Sequence, residues 1–154
     1  MRRKDREITD KREIEAIIQK AQSINLALNT GDYPYIIPLS YGWEWKDTLC
    51  FYFHCAKEGR KIDLIANDNK AGFELDTNHE LVTGETDCDW GYKYASVIGT
   101  ARVTEVFGEE KKNGLHCLMA HYGKTENHVF QSQVFEATRV FRIDVVSMSA
   151  KSKK

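Results

Sequence analysis

The run Thr48-Leu49-Cys50-Phe51-Tyr52-Phe53-His54 constrains the fold most, because between its polar ends it is apolar without alternation. A strand with one wet face alternates polar and apolar side chains, so a strand of this composition has to be covered on both sides. Cys55-Ala56-Lys57-Glu58-Gly59 then supplies a polar turn, with Gly59 the turn residue, and Ile62, Ile65 and Ala66 recur behind it at helical spacing. The segment reads as a buried strand running through a turn into a helix. Arg60 and Lys61 fall in the first turn of that helix, beside the positive end of its dipole, where a cation is destabilising. Two readings are open: both side chains extend into water, or they clamp a phosphate on the free N–H groups of the helix start.

A chain of 154 residues can close one sizeable core without disulfides or metal, so one domain spanning residues 1–154 is expected. With 22 basic and 23 acidic residues the net charge is −1, and no global field draws the chain to nucleic acid or anionic lipid. Basic residues cluster at the ends, in Met1-Arg2-Arg3-Lys4 and Lys151-Ser152-Lys153-Lys154, which read as solvated tails. No apolar run approaches the roughly 20 residues of a membrane span and the N-terminus is charged, so a cytoplasmic protein with no membrane partner is expected. Cys50, Cys55, Cys88 and Cys117 lack CxxC spacing and read as reduced thiols, not as a disulfide framework or a structural zinc site.

Asp10 followed by Glu13 resembles a capping box and predicts a helix over 11–21, with Ile14, Ile17, Ile18 and Ala21 on one face. Residues 23–29 alternate with period two, 29–32 form a turn, and 35–43 read as the second strand of a hairpin. Pro38 removes a ladder donor, which places this strand at an edge or a bulge. Further strands are expected at 71–76, 80–82, 94–106 with a bend at Gly99, and 138–146; a helix is expected within 108–122, although Gly114 weakens it. Many strands at short intervals with helices inserted between hairpins argue for a mainly β, antiparallel barrel with accessory helices.

Four segments in this order resemble one family: Met1-Arg2-Arg3-Lys4-Asp5-Arg6-Glu7-Ile8, Tyr35-Ile36-Ile37-Pro38-Leu39-Ser40-Tyr41, Phe53-His54-Cys55-Ala56-Lys57-Glu58-Gly59-Arg60-Lys61, and Tyr94-Ala95-Ser96-Val97-Ile98-Gly99. The chain resembles the FMN-binding split barrels of the pyridoxamine 5'-phosphate oxidase-like superfamily, and within it most closely the 5-nitroimidazole resistance (Nim) flavoproteins. The resemblance implies a six-stranded Greek-key split barrel that forms a homodimer, with one FMN in each of two grooves at the subunit interface. It implies that Arg60 and Lys61 hold the FMN phosphate with Ser96 as hydroxyl partner, that backbone groups of Ile37, Pro38, Leu39 and Ser40 line the isoalloxazine edge, and that His54 and Cys55 lie between ring and phosphate. Relatives often carry serine after the histidine, and Cys55 departs from that pattern. Trp43, Trp45, Trp90, Tyr92 and Tyr94 offer flat apolar walls of the kind a flavin ring needs, or serve as ordinary core and rim residues.

A flavin would carry the electrons, so no protein nucleophile is required. A Nim-like member would reduce a small nitroaromatic or similar acceptor, with His54 as proton donor or substrate-orienting group, or as a structural histidine at a strand end. Oxidation of pyridoxamine phosphate itself needs a second phosphate site, and Arg139 and Arg142 alternate with apolar residues as solvent-facing strand positions do. His116, His121 and His128 suggest metal or haem, but positions five apart diverge on a helix, and no metal site is expected. The Gly-rich nicotinamide fingerprint is absent. The alternative is a non-catalytic FMN or haem binding protein of the same fold.

Overall fold

The structure, a computed structural model, describes residues 3–153. Met1, Arg2 and Lys154, and with them parts of both basic tails, lie outside the described residues. The elements are β1 (Glu7–Ile8), α1 (Lys11–Lys20), β2 (Ile24–Leu28), β3 (Tyr35–Leu39), β4 (Gly42–Trp45), β5 (Leu49–Cys55), α2 (Arg60–Asn67), β6 (Lys70–Val82), β7 (Gly91–Val106), α3 (Gly108–His121), α4 (Ser132–Ala137) and β8 (Arg139–Lys153). Every strand pairing is antiparallel. Eight hydrogen-bonded segments make up the sheet, counting two-residue β1 and four-residue β4, against the six strands of the expected barrel.

The sheet runs β3-β2-β6-β7-β8-β5-β4, with β1 added to β8. β3 and β4 are therefore at opposite ends of the path, yet only Ser40 and Tyr41 separate them in the chain. Three Cα steps reach about 11 Å at most. The two ends must lie side by side, and the sheet curls into a barrel. Leu26, Phe51, Phe53, Phe73, Leu75, Val97 and Ile143 fill its interior.

The two-sided burial demanded by the apolar run is met in two ways. Leu49, Phe51 and Phe53 face the barrel interior, while Cys50 and Tyr52 point outward beneath α3 and pack with Leu115, Val106 and Val140. Gly114 belongs in that helix because a Cβ there would sit 2.7 Å from the Tyr52 ring, so the residue that weakens the helix is the one that lets it close on the strand. α1 starts where Asp10 accepts a hydrogen bond from the Glu13 N–H, and it packs Ile14, Ile17 and Ile18 on the core.

Several boundaries differ from expectation. The predicted strand over 35–43 breaks at Ser40-Tyr41, where the chain passes from one end of the sheet to the other. Segments 71–76 and 80–82 are one strand, interrupted by a bulge between Thr77 and Glu80 where Asn78 takes φ +61°. The irregularity placed at Gly99 lies one residue on, between Thr100 and Ala101 in the β7–β8 register. β8 continues to Lys153, paired with β7 as far as Tyr94 and with β1. Lys151 to Lys153 are thus part of the sheet and not a solvated tail. Among the described residues no helix is long and apolar enough to cross a membrane.

Candidate functional site

Gly59 caps α2 with φ +144° and ψ 156°, a conformation open essentially to glycine alone, and no side chain caps the helix start. Arg60 and Lys61 occupy its first turn. Two arginines of the barrel are neutralised, Arg139 by a bidentate pair with Glu105 and Arg142 by Glu110 and Asp144 at 2.7 Å each, while Arg102 meets only the Asn69 amide oxygen. Arg60 and Lys61 are in no ion pair among the described residues. Arg60 lies instead over the ring of Tyr35, 4.8 Å from its centroid. Sequence reasoning missed Tyr35; its signal was an aromatic residue opening the proline-containing edge strand.

Tyr35 begins β3, so the cationic corner stands at the head of that strand, with Ile37, Pro38, Leu39 and Ser40 running away from it. β3 pairs only with β2 among the described residues, which leaves its outer backbone edge free of ladder bonds, and Pro38 sits on this edge strand as its missing N–H requires. Leu39 is buried and Ile37 half-buried against the core, whereas Ile36, Pro38 and Ser40 face outward.

His54 and Cys55 end β5 immediately before the turn into α2 and alternate across the strand. Cys55 packs toward the barrel core, and His54 faces outward into a cavity bordered by α3 and α4. Burial, with the charge of Lys61 added, holds the His54 imidazole below its usual range and so favours the neutral ring. Burial pushes the Cys55 thiol up, against the opposing pull of Lys61 and Arg139, which leaves it a thiol and a poor nucleophile. The Arg139 guanidinium also donates to the Lys57 carbonyl at 3.3 Å and pins the turn between strand and helix.

One chain does not bring Ser96 to this corner. The row through Tyr35 crosses Leu28, Ala71 and Ala101, and Ser96 lies five residues further along β7, about 17 Å at strand rise. Its side chain is buried, and its Oγ has no hydrogen-bond partner. The aromatic residues also divide: Trp43 and Trp45 lean on the core, Trp43 donating to Gln19, whereas Trp90 and Tyr92 are half exposed on the β6–β7 arm. Of the three spaced histidines, His121 points into the core, but His116 and His128 do meet, stacked at 4.5 Å, because the segment after α3 folds back on it. The described residues hold no cluster of three ligands suited to a metal.

The sequence profile of the pyridoxamine 5'-phosphate oxidase family matches residues 10–152. No curated protein matches. Among solved structures, a candidate 5-nitroimidazole antibiotic resistance protein from Bacteroides thetaiotaomicron is 26% identical, with a TM-score of 0.81 over 95% of this chain and 86% of that one. A FAD and haem binding protein from Mycobacterium smegmatis is 14% identical, with a TM-score of 0.82 over 97% of this chain and 74% of that one. A flavocytochrome from Azotobacter vinelandii is 16% identical, with a TM-score of 0.76 over 100% of this chain and 72% of that one. The last two likenesses establish shared architecture only.

Proposed function

Since the chain belongs to the pyridoxamine 5'-phosphate oxidase family, we propose that it binds FMN and serves as an oxidoreductase for a small nitroaromatic or similar acceptor. The observation that carries the reading is the pair Arg60 and Lys61, without counter-ions at the start of α2 and beside the unpaired edge of β3. A phosphate there would receive charge-assisted hydrogen bonds and the helix N–H groups. On the free edge, Pro38 would offer its carbonyl and Ser40 a backbone donor and acceptor to the isoalloxazine rim, while Ile37 and Leu39, whose backbone groups alternate toward β2, would line it from the strand between them. The flavin, when bound, supplies the electron transfer. His54 presents a neutral imidazole that can position an acceptor or pass it a proton. The similarity to a candidate nitroimidazole resistance protein supports the acceptor class.

A homodimer completes the site. The described surface measures 9726 Å², against roughly 8,000 Å² expected of a compact monomer of this mass. The outer sheet face carries Ile36, Ile98 and Val146 exposed beside a 660 Å³ cavity floored by Ala27, Gly72 and Thr100. A second copy seated on that face would cover these residues. The Ser96 hydroxyl, buried without a partner within one chain, would need its covering side chains to part before it could serve a flavin.

The absorption spectrum of freshly purified protein, followed by mass identification of the released chromophore, tests the assignment. FMN is expected; FAD would keep the flavin reading but move the phosphate contacts. The neutral His54 facing an apolar cavity favours a second reading, a haem or flavin carried without turnover. A Soret band without flavin, or bound flavin that no reductant reduces, would select it.

A further inference from the structure

On the outer side of β5, away from the barrel interior, lies a cavity of about 430 Å³. Leu115 and Leu118 of α3 form one wall, Val134 and Phe135 of α4 the other, and His54 stands at the strand-side opening. Phe130 closes the outer side, its ring 6.0 Å from Phe135 and held from behind by the stacked rings of His116 and His128. The volume is that of a small-molecule site, and apolar walls with few polar groups are the usual composition of one.

Three polar side chains line the cavity. The Thr138 hydroxyl is already used, donating 2.7 Å to the Val134 carbonyl, which leaves His54 and Gln131 without partners among the described residues. No lysine, arginine, aspartate or glutamate is among the lining residues, so a charged ligand would enter without a counter-ion. Phe130 and Phe135 supply the edge and face contacts that a flat ring prefers.

We infer that this cavity binds a small uncharged aromatic molecule carrying one hydrogen-bonding group, with its ring between α3 and α4 and its polar end on His54 and Gln131. The cavity shares His54, Val134 and Thr138 with a shallower groove that runs past Cys55 and Ala56 toward the turn before Gly59. A ligand seated there lies one strand end from the cationic corner. The inference rests on the acceptor role proposed for His54 and locates where that acceptor sits, but it needs no flavin, so cavity and cofactor can fail separately.

Benzamide is the probe, titrated into the isotopically labelled full-length protein and followed by amide chemical shifts. Saturable shifts are expected at Leu115, Leu118, Val134 and Phe135. His54→Phe keeps the walls apolar and removes the polar anchor; it is expected to weaken binding at least threefold. Leu118→Trp and, from the exposed rim, Val134→Trp each fill the cavity and are expected to abolish the response; the second variant leaves the core untouched, so its result stands even if the first fails to fold. No saturable response, shifts confined to β3 and α2, or unchanged affinity in Val134→Trp would overturn the assignment. Flavin content, read from visible absorbance in the same samples, reports on the other proposal independently.

Discussion

The ring of His121 lies 4.3 Å from that of Tyr41, and both side chains donate to one acceptor, the carbonyl of Ala21. The Tyr41 hydroxyl also meets the carbonyl of Ile18. Two residues from different parts of the barrel thus satisfy the last carbonyls of α1, which a helix end leaves open. Because His121 donates from Nε2 to a carbonyl, its neutral form leaves Nδ1 as an acceptor, and that atom is buried without a partner.

Tyr41→Phe, which takes the side-chain donor from the Ile18 carbonyl, and His121→Leu, which takes a hydrogen bond and a stacked ring from the end of α1, are each expected to destabilise the fold by about 1–3 kcal/mol. For a chain of this size that is roughly 3–10 °C in melting temperature. Calorimetry of the two variants measures it; a loss below half a degree in both would show that the clamp contributes nothing.

Acid should weaken the protein in a defined window. His54, His116 and His121 are all held below the ordinary histidine value of 6.5, in each case chiefly by burial. The unfolded chain therefore binds more protons than the folded one as pH falls through about 6.5, and stability present above that value is lost until the folded-state values are passed. Melting temperature is expected to be flat above about pH 7.5 and to decline as pH falls below about 6.5. His121→Gln should shallow the decline; a profile that rises toward acid would contradict the burial argument.

Arg60→Ala and Lys61→Ala should each weaken FMN binding about 10- to 100-fold, as expected for loss of a charge-assisted contact of about 1.5–3 kcal/mol. Both residues stand at the surface end of α2, so circular dichroism should remain unchanged. Full flavin occupancy in the double variant would remove the phosphate from this corner.

Gly59→Ala forces a Cβ into a backbone region that costs of order 1–3 kcal/mol for other residues. The expected relief is a rotation of the first turn of α2, which carries Arg60 and Lys61 away from the head of β3. Flavin affinity should fall more than melting temperature does, and the ratio of the two losses is the quantity to measure.

His54→Ala should retain flavin while altering turnover or acceptor affinity, because its side chain lines the α3–α4 cavity while Arg60 and Lys61 would hold the phosphate. Steady-state kinetics with a nitroimidazole acceptor report this. Identical constants would reduce His54 to a strand-end residue.

Local physics made much of this legible beforehand. The unalternating run at Leu49–Phe53 required cover on both faces, and the Asp10 cap, the Gly59 turn and the Pro38 edge each follow from a single residue's chemistry. What escaped depends on partners distant in the chain. Whether 35–43 is one strand or two is decided by barrel closure, and nothing in Ser40-Tyr41 announces it. β8 extends past Val146 because β7 is long enough to pair with it. α4, six residues without a buried side chain, carries too little periodicity to be seen. Spacing argued the histidines apart, yet a returning segment stacked His128 on His116. Ser96 shows the same limit from the other side: the resemblance grouped it with Arg60 and Lys61, and within one chain it lies about 17 Å along β7 from the row that carries Tyr35.

The join at Ser40-Tyr41 acts as the clasp of a bracelet. Loops such as 30–34, 46–48 and 83–90 connect neighbouring strands and can grow without disturbing either partner, whereas one extra residue at the clasp would let the two rims of the sheet drift apart. The free margin of β3 and the end of β5 with its following turn are held in mutual register by that fastening, so a surface insertion far from any reacting group would be enough to dismantle the pocket they frame.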